Sequence, residues 1–202
     1  MRSATVGLYT YVGNDPLDRT DPKGTEISCA KGSNCSAIAK SINALTKRQY
    51  AFNSKGVLKP DTKAATNQSG SNYYSNRVDK AIAAKGSISI GISKTTPDGK
   101  SVDAAGGGST SIPVHTDTVT ISVTGREGSA TVGTDGKPID SSAPFVLMHE
   151  LVGHAIPRIA GSDTGNAVDN ENKVRAEVTT HRLREAEPTA IEYFHLPGWG
   201  DK

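Results

Sequence analysis

The sequence predicts an α+β domain: two helices, then a small β-sheet, then two functional helices. Three observations predict it. Apolar residues recur at helical spacing over 36–50 and 73–84. Residues 87–92 and 119–123 alternate apolar and polar, as half-buried strands do. An apolar approach, Pro144 to Met148, then leads into His149-Glu150-Leu151-Val152-Gly153-His154. The 21 glycines and 35% hydrophobic content fit a loop-rich globular chain better than a helical bundle.

The elements follow in order. Cys29 and Cys35 enclose five residues with a glycine, a span that permits a small disulfide loop or two free thiols, as the redox compartment dictates. Two cysteines are too few for a metal site of their own. Ser36 to Tyr50 reads as a helix, with Ile38, Ile42 and Leu45 on one face. Residues 53–72 are polar and turn-rich. Tyr73 to Ala84 is a second helix stopped by Gly86. Ser87 to Ile92 is a strand, and Thr96-Pro97-Asp98-Gly99-Lys100 is a turn. Ala104 to Ser111 is glycine-rich and reads as mobile; no lysine follows to make a phosphate loop. A second strand lies at Val119 to Val123, and Ala130 to Val132 with a turn at 134–137 completes a small sheet. Ile156-Pro157 ends or kinks the helix that carries the histidines. A second charged helix runs from Asp169 through Val178, capped by Asp169 or Asn170.

The chemistry concentrates at 149–154. Two imidazoles can hold a metal, and a carboxylate beside the first can deprotonate the water that the metal acidifies. The usual zinc-peptidase helix spaces its histidines at i and i+4, on one face. Here the spacing is i+5, and an ideal helix at ~100° per residue would turn the two rings roughly 140° apart. A π-type bulge at Gly153 would bring His154 back toward His149. Burying three ionisable groups without pairing or a metal would cost several kcal/mol, on the order given by polar transfer.

His-Glu-x-x-Gly-His resembles the zinc motif of the dipeptidyl peptidase III family, in which the longer spacing supports Zn2+. The third ligand is expected from the charged helix. Asn170-Glu171 is similar to the ligand turn of thermolysin-like enzymes, and Glu177 closes Arg175-Ala176-Glu177, which resembles the end of the dipeptidyl peptidase III ligand helix. That family's own ligand position falls on Lys173, which cannot ligate while protonated. Glu171 and Glu177 lie six residues apart, roughly 240° around a helix, so one ion cannot take both. Glu171 is the favoured ligand and Glu177 the alternative. Glu150 is the expected general base. Arg175, His181, Tyr193 and His195 are candidates to stabilise the oxyanion. The whole resembles a compact, reduced zincin-like core: a small β-sheet, an active-site helix and a Glu-bearing helix. The strand at Val119 to Val123 is the candidate substrate-binding edge.

A second resemblance lies at the other end. Tyr9-Thr10-Tyr11-Val12-Gly13-Asn14-Asp15-Pro16, followed by Asp21-Pro22-Lys23-Gly24, resembles the closing signature of Rhs (rearrangement hot spot) repeat cores. Those cores end just before a variable toxin domain. The resemblance implies that residues 1–24 close a delivery shell and residues 25–202 form a metallopeptidase-like toxin domain. It further implies a polymorphic toxin, secreted or delivered into a target cell by a machine such as type VI secretion, with an Rhs shell and a cognate immunity protein as partners. The substrate would be a target-cell protein or peptide. No stretch reaches membrane-spanning length, and the N-terminus lacks the apolar segment of a signal peptide.

Charge weighs on the alternatives. A formal net charge of +2, without a Lys/Arg cluster, offers little attraction to a polyanion. It argues against the runner-up, a metal-dependent nuclease toxin. A cell-wall peptide hydrolase and a non-enzymatic binding toxin with a structural His-Glu helix are the other readings.

Overall fold

The computed structural model describes residues 26–112, 118–161, 165–179 and 182–186. The Rhs-like segment 1–24 lies outside them. The fold is α+β. Its main sheet contains β1 (Glu26–Cys29), β4 (Ser87–Ile92), β6 (Thr118–Val123) and β5 (Gly108–Ser111), in the order β1-β4-β6-β5. The first three are parallel and β5 is antiparallel to β6. The register aligns Ile27 with Ile88 and Val119, and Cys29 with Ile90 and Ile121. Alternation therefore gathers Ile27, Ile88, Ile90, Val119 and Ile121 on one face, all buried. Against the sheet pack α1 (Cys35–Leu45), α2 (Asn72–Ile82) and α3 (Ala143–Met148). The half-buried serines and threonines fall on the other face, where Ser87 Oγ meets Thr118 Oγ1 at 2.9 Å.

Both early helices start at side-chain caps: Asn34 accepts from Ala37 N, and Ser71 accepts from Tyr74 N. The first stops at Leu45, short of the expected Tyr50, because Tyr50–Phe52 is recruited as β2 and pairs with β3 (Leu58–Pro60). The turn-rich stretch thus carries a hairpin. The disulfide Cys29–Cys35 joins the end of β1 to the start of α1.

Three further expectations need correction. Val119 to Val123 is not a sheet edge: β6 lies between β4 and β5. The edge next to the histidines is β5, built from part of the glycine-rich run read as mobile. Its glycine permits the approach, since a Cβ on Gly108 would lie 2.8 Å from Glu150 Oε1 and from Val146 Cγ1. The residues 130–139 form a separate hairpin, β7 (Thr131–Val132) with β8 (Pro138–Ile139), and do not extend the main sheet. Pro157 does not end the helix. It falls in the first turn of α4 (Ile156–Ala160), directly after a π-helix, where the hydrogen-bond spacing changes and its missing N–H is tolerated. Among the described residues no helix is long and apolar enough to cross a membrane.

Candidate functional site

The π-helix spans His149–Ala155, between α3 and α4. Hydrogen bonding at i+5 sets residues five apart one turn apart, so His149 and His154 share a face. Their Nε2 atoms are 3.3 Å apart and the rings stand at 84°. Gly153 allows the widened turn to pack closely: a Cβ there would be 3.0 Å from Ala167 Cβ and 3.3 Å from the Ala167 backbone, at the start of α5 (Ala167–Val178). His154 is exposed and Glu150 is buried. Glu150 Oε2 accepts a 2.6 Å hydrogen bond from Thr110 Oγ1 on β5.

Glu171 approaches the pair from α5, which a capping box between Asn166 and Asp169 starts. Its carboxylate is 1% exposed and has three partners. Arg175 Nε donates to Oε1 at 2.6 Å, while His149 Nδ1 and Arg184 Nη1 meet Oε2 at 2.7 and 2.9 Å. Burial pushes the Glu171 carboxyl up, but the His149 hydrogen bond and the charges around it outweigh burial and hold it down at about 2. An anionic carboxylate only accepts, so Nδ1 of His149 is the donor. In a neutral ring this leaves the Nε2 lone pair facing His154.

The expected ligand therefore takes a different place. Glu171 lies against Nδ1, whereas His154 faces Nε2, and the two ring nitrogens point in diverging directions. In this position Glu171 orients His149; ligation would need its carboxylate or the ring to turn. Glu177 stands apart from the histidines. Its Oε2 accepts from Ser71 Oγ at 2.7 Å and from Tyr73 N at 3.0 Å, tying α5 to the start of α2. Arg175 braces Glu171, donates to the Asp140 carbonyl at 2.8 Å and lies 4.3 Å over the Phe145 ring, so its guanidinium is committed. His181, Tyr193 and His195 lie outside the described residues.

A cavity of about 340 Å³ opens beside His149 and Glu150. Gly106, Gly108, Ser129, Arg184 and Glu185 are among the residues that line it. Sequence reasoning missed Thr110, Gly108 and Arg184. A glycine in a run of glycines can signal close backbone approach. Thr110 and Arg184 sit in segments with no periodic pattern to mark them.

The 3.3 Å between the Nε2 atoms of His149 and His154 matches both an N–H···N hydrogen bond and two ligands of one metal ion. With Zn–N bonds of about 2.0–2.1 Å, tetrahedral ligands sit about 3.3 Å apart. Among the described residues no group of three His, Cys, Asp or Glu side chains could hold an ion. The chain matches no family model, no curated protein and no solved structure.

Proposed function

We propose that this chain is a zinc-dependent peptidase with a zincin-like core, acting as the toxic tail of an Rhs-type protein on a target-cell protein or peptide. One observation carries the peptidase reading: a π-turn that brings two Nε2 atoms to 3.3 Å, with a buried glutamate next in sequence to the first. At this separation one ion, or one shared proton, can lie between the two nitrogens. His149 and His154 would hold zinc through Nε2. The remaining coordination positions fall to water, substrate or a residue outside the described ones. Zinc would acidify a water and polarise the scissile carbonyl. Glu150, held by Thr110, would take the proton from that water and pass it to the leaving amine. The substrate chain would lie along the outer edge of β5, next to Glu150, with main-chain pairing as its source of affinity. The delivery and immunity partners rest on the Rhs-like residues 9–24.

Elemental analysis and zinc titration test the metal, and toxicity in a susceptible host tests the chemistry. One zinc per chain is expected, lost in His154→Ala. Glu150→Gln should keep zinc while activity falls by roughly 10²–10⁴, the usual worth of a general base. Glu171→Ala should weaken zinc about 10- to 100-fold if it orients His149; complete loss would make it a ligand. Glu177→Ala should leave zinc unchanged. A wild-type chain that cannot take up zinc, or a fully active Glu150→Gln, would sink the reading.

A further inference from the structure

Arg184 lies outside every regular element, yet it is pinned from two sides. Asn172 on α5 clamps its backbone: Asn172 Nδ2 donates to the Arg184 carbonyl at 2.9 Å, and Arg184 N donates to Asn172 Oδ1 at 2.7 Å. On the other side the strap 183–185 runs against residues 132–134, held by backbone hydrogen bonds and one isolated antiparallel bridge. Thr134 N donates to the Leu183 carbonyl, Glu185 N donates to the Val132 carbonyl, and Gly133 bridges to Arg184. So fixed, the guanidinium reaches 2.9 Å from Glu171 Oε2 and 3.1 Å from His149 Nδ1.

These two short distances cannot both be hydrogen bonds from Arg184. Nδ1 already donates to Glu171, so it has no lone pair to offer. Arg184 and His149 are therefore two donors converging on one oxygen. Arg175 fixes the other oxygen. Arg175 and His149 give each carboxylate oxygen one donor, and Arg184 adds a second, charge-assisted donor at Oε2 that further narrows rotation about the terminal bond.

We propose that Arg184 is a positioning residue of this site: by holding Glu171 Oε2 against His149 Nδ1, it strengthens the preference, set by Glu171, for the tautomer whose Nε2 faces His154. The strap and Asn172 are the means by which the fold delivers that guanidinium. The proposal rests on the metal reading only for its second readout. The first is the His149 tautomer in metal-free protein.

Long-range ¹H–¹⁵N spectra of the imidazoles report that tautomer, and competition with a chromophoric chelator reports zinc affinity. The wild type should show His149 protonated at Nδ1 alone. Arg184→Ala should raise the share of the Nε2–H tautomer and weaken zinc about 10- to 100-fold, the usual cost of losing a partner that orients a ligand. Arg184→Lys, which can still donate to Oε2, should recover most of the tautomer preference. Asn172→Ala, which frees the backbone but keeps the guanidinium, should shift it less than Arg184→Ala does. A folded Arg184→Ala with a single Nδ1–H tautomer and zinc affinity within about twofold of wild type would overturn the proposal. If Arg184→Ala does not fold, Arg184→Lys is compared with Arg184→Met, alike in reach but with and without a donor; equal tautomer populations overturn it. A wild type with the Nδ1–H tautomer but no zinc uptake would sink the metal reading alone and leave Arg184 in its role.

Discussion

Glu171 keeps its charge inside the protein because donors meet both of its oxygens. Its carboxyl is held at about 2, against an ordinary 4.5. A lowered folded-state pKa means that ionised Glu171 stabilises the fold fully above about 4.5, and that this contribution is lost as pH falls through about 2. Urea midpoints measured from pH 6 to pH 2 should therefore fall more steeply for the wild type than for Glu171→Gln. Parallel profiles would show that Glu171 adds nothing through its charge. At the same scale, the i+5 histidine spacing was legible in the sequence, and so was the need for a bulge. The side of the ring that Glu171 would meet was not. Helix periodicity says which way a side chain leaves its own helix, but not which atom of a partner on another helix it meets.

The π-helix is where an element's geometry decides what its residues can do. An α-helical ladder through His149–Ala155 would swing the rings roughly 140° apart. Gly153 packs against the start of α5 with little room for a side chain. Gly153→Ala would favour the helix by up to about 1 kcal/mol in propensity. Against that, the new methyl would press on Ala167, whose backbone begins α5 and gives little. Overpacking of this kind costs about 1–3 kcal/mol, so a net loss of about 1 kcal/mol is expected. A shift of α5 would also carry Glu171 with it. Thermal unfolding and zinc titration of Gly153→Ala should both move in the unfavourable direction; an unchanged or raised Tm would show that α5 yields easily.

For the whole molecule, the disulfide Cys29–Cys35 ties the first strand of the sheet to the first helix. Closing so short a loop is worth roughly 2 kcal/mol by chain entropy. Neither cysteine lines the cavity beside His149. Reduction should lower Tm by several degrees and leave zinc uptake unchanged, as calorimetry with and without a reductant would measure. Loss of zinc on reduction would mean that the sheet and the site are coupled more tightly than their separation in the fold suggests. The sequence permitted this pairing without requiring it. The Cα atoms come to 5.6 Å only because β1 and α1 meet at that corner.

By itself, the sequence determined the α+β class, the strand over 87–92, the two early helices to within a few residues at their starts, and the His-Glu-x-x-Gly-His constellation. Each is written in local periodicity or spacing, which a short window of chain carries in full. Tertiary structure alone decided that the sheet is largely parallel, and that β5 rather than 119–123 borders the site. It also decided that Glu177 caps α2, and that Thr110 and Arg184 belong to the site at all. Strand order, the partner of a buried carboxylate and the reach of an arginine from an irregular segment depend on residues 13 to 106 positions apart meeting in space. Packing fixes such meetings, and local sequence pattern does not encode them.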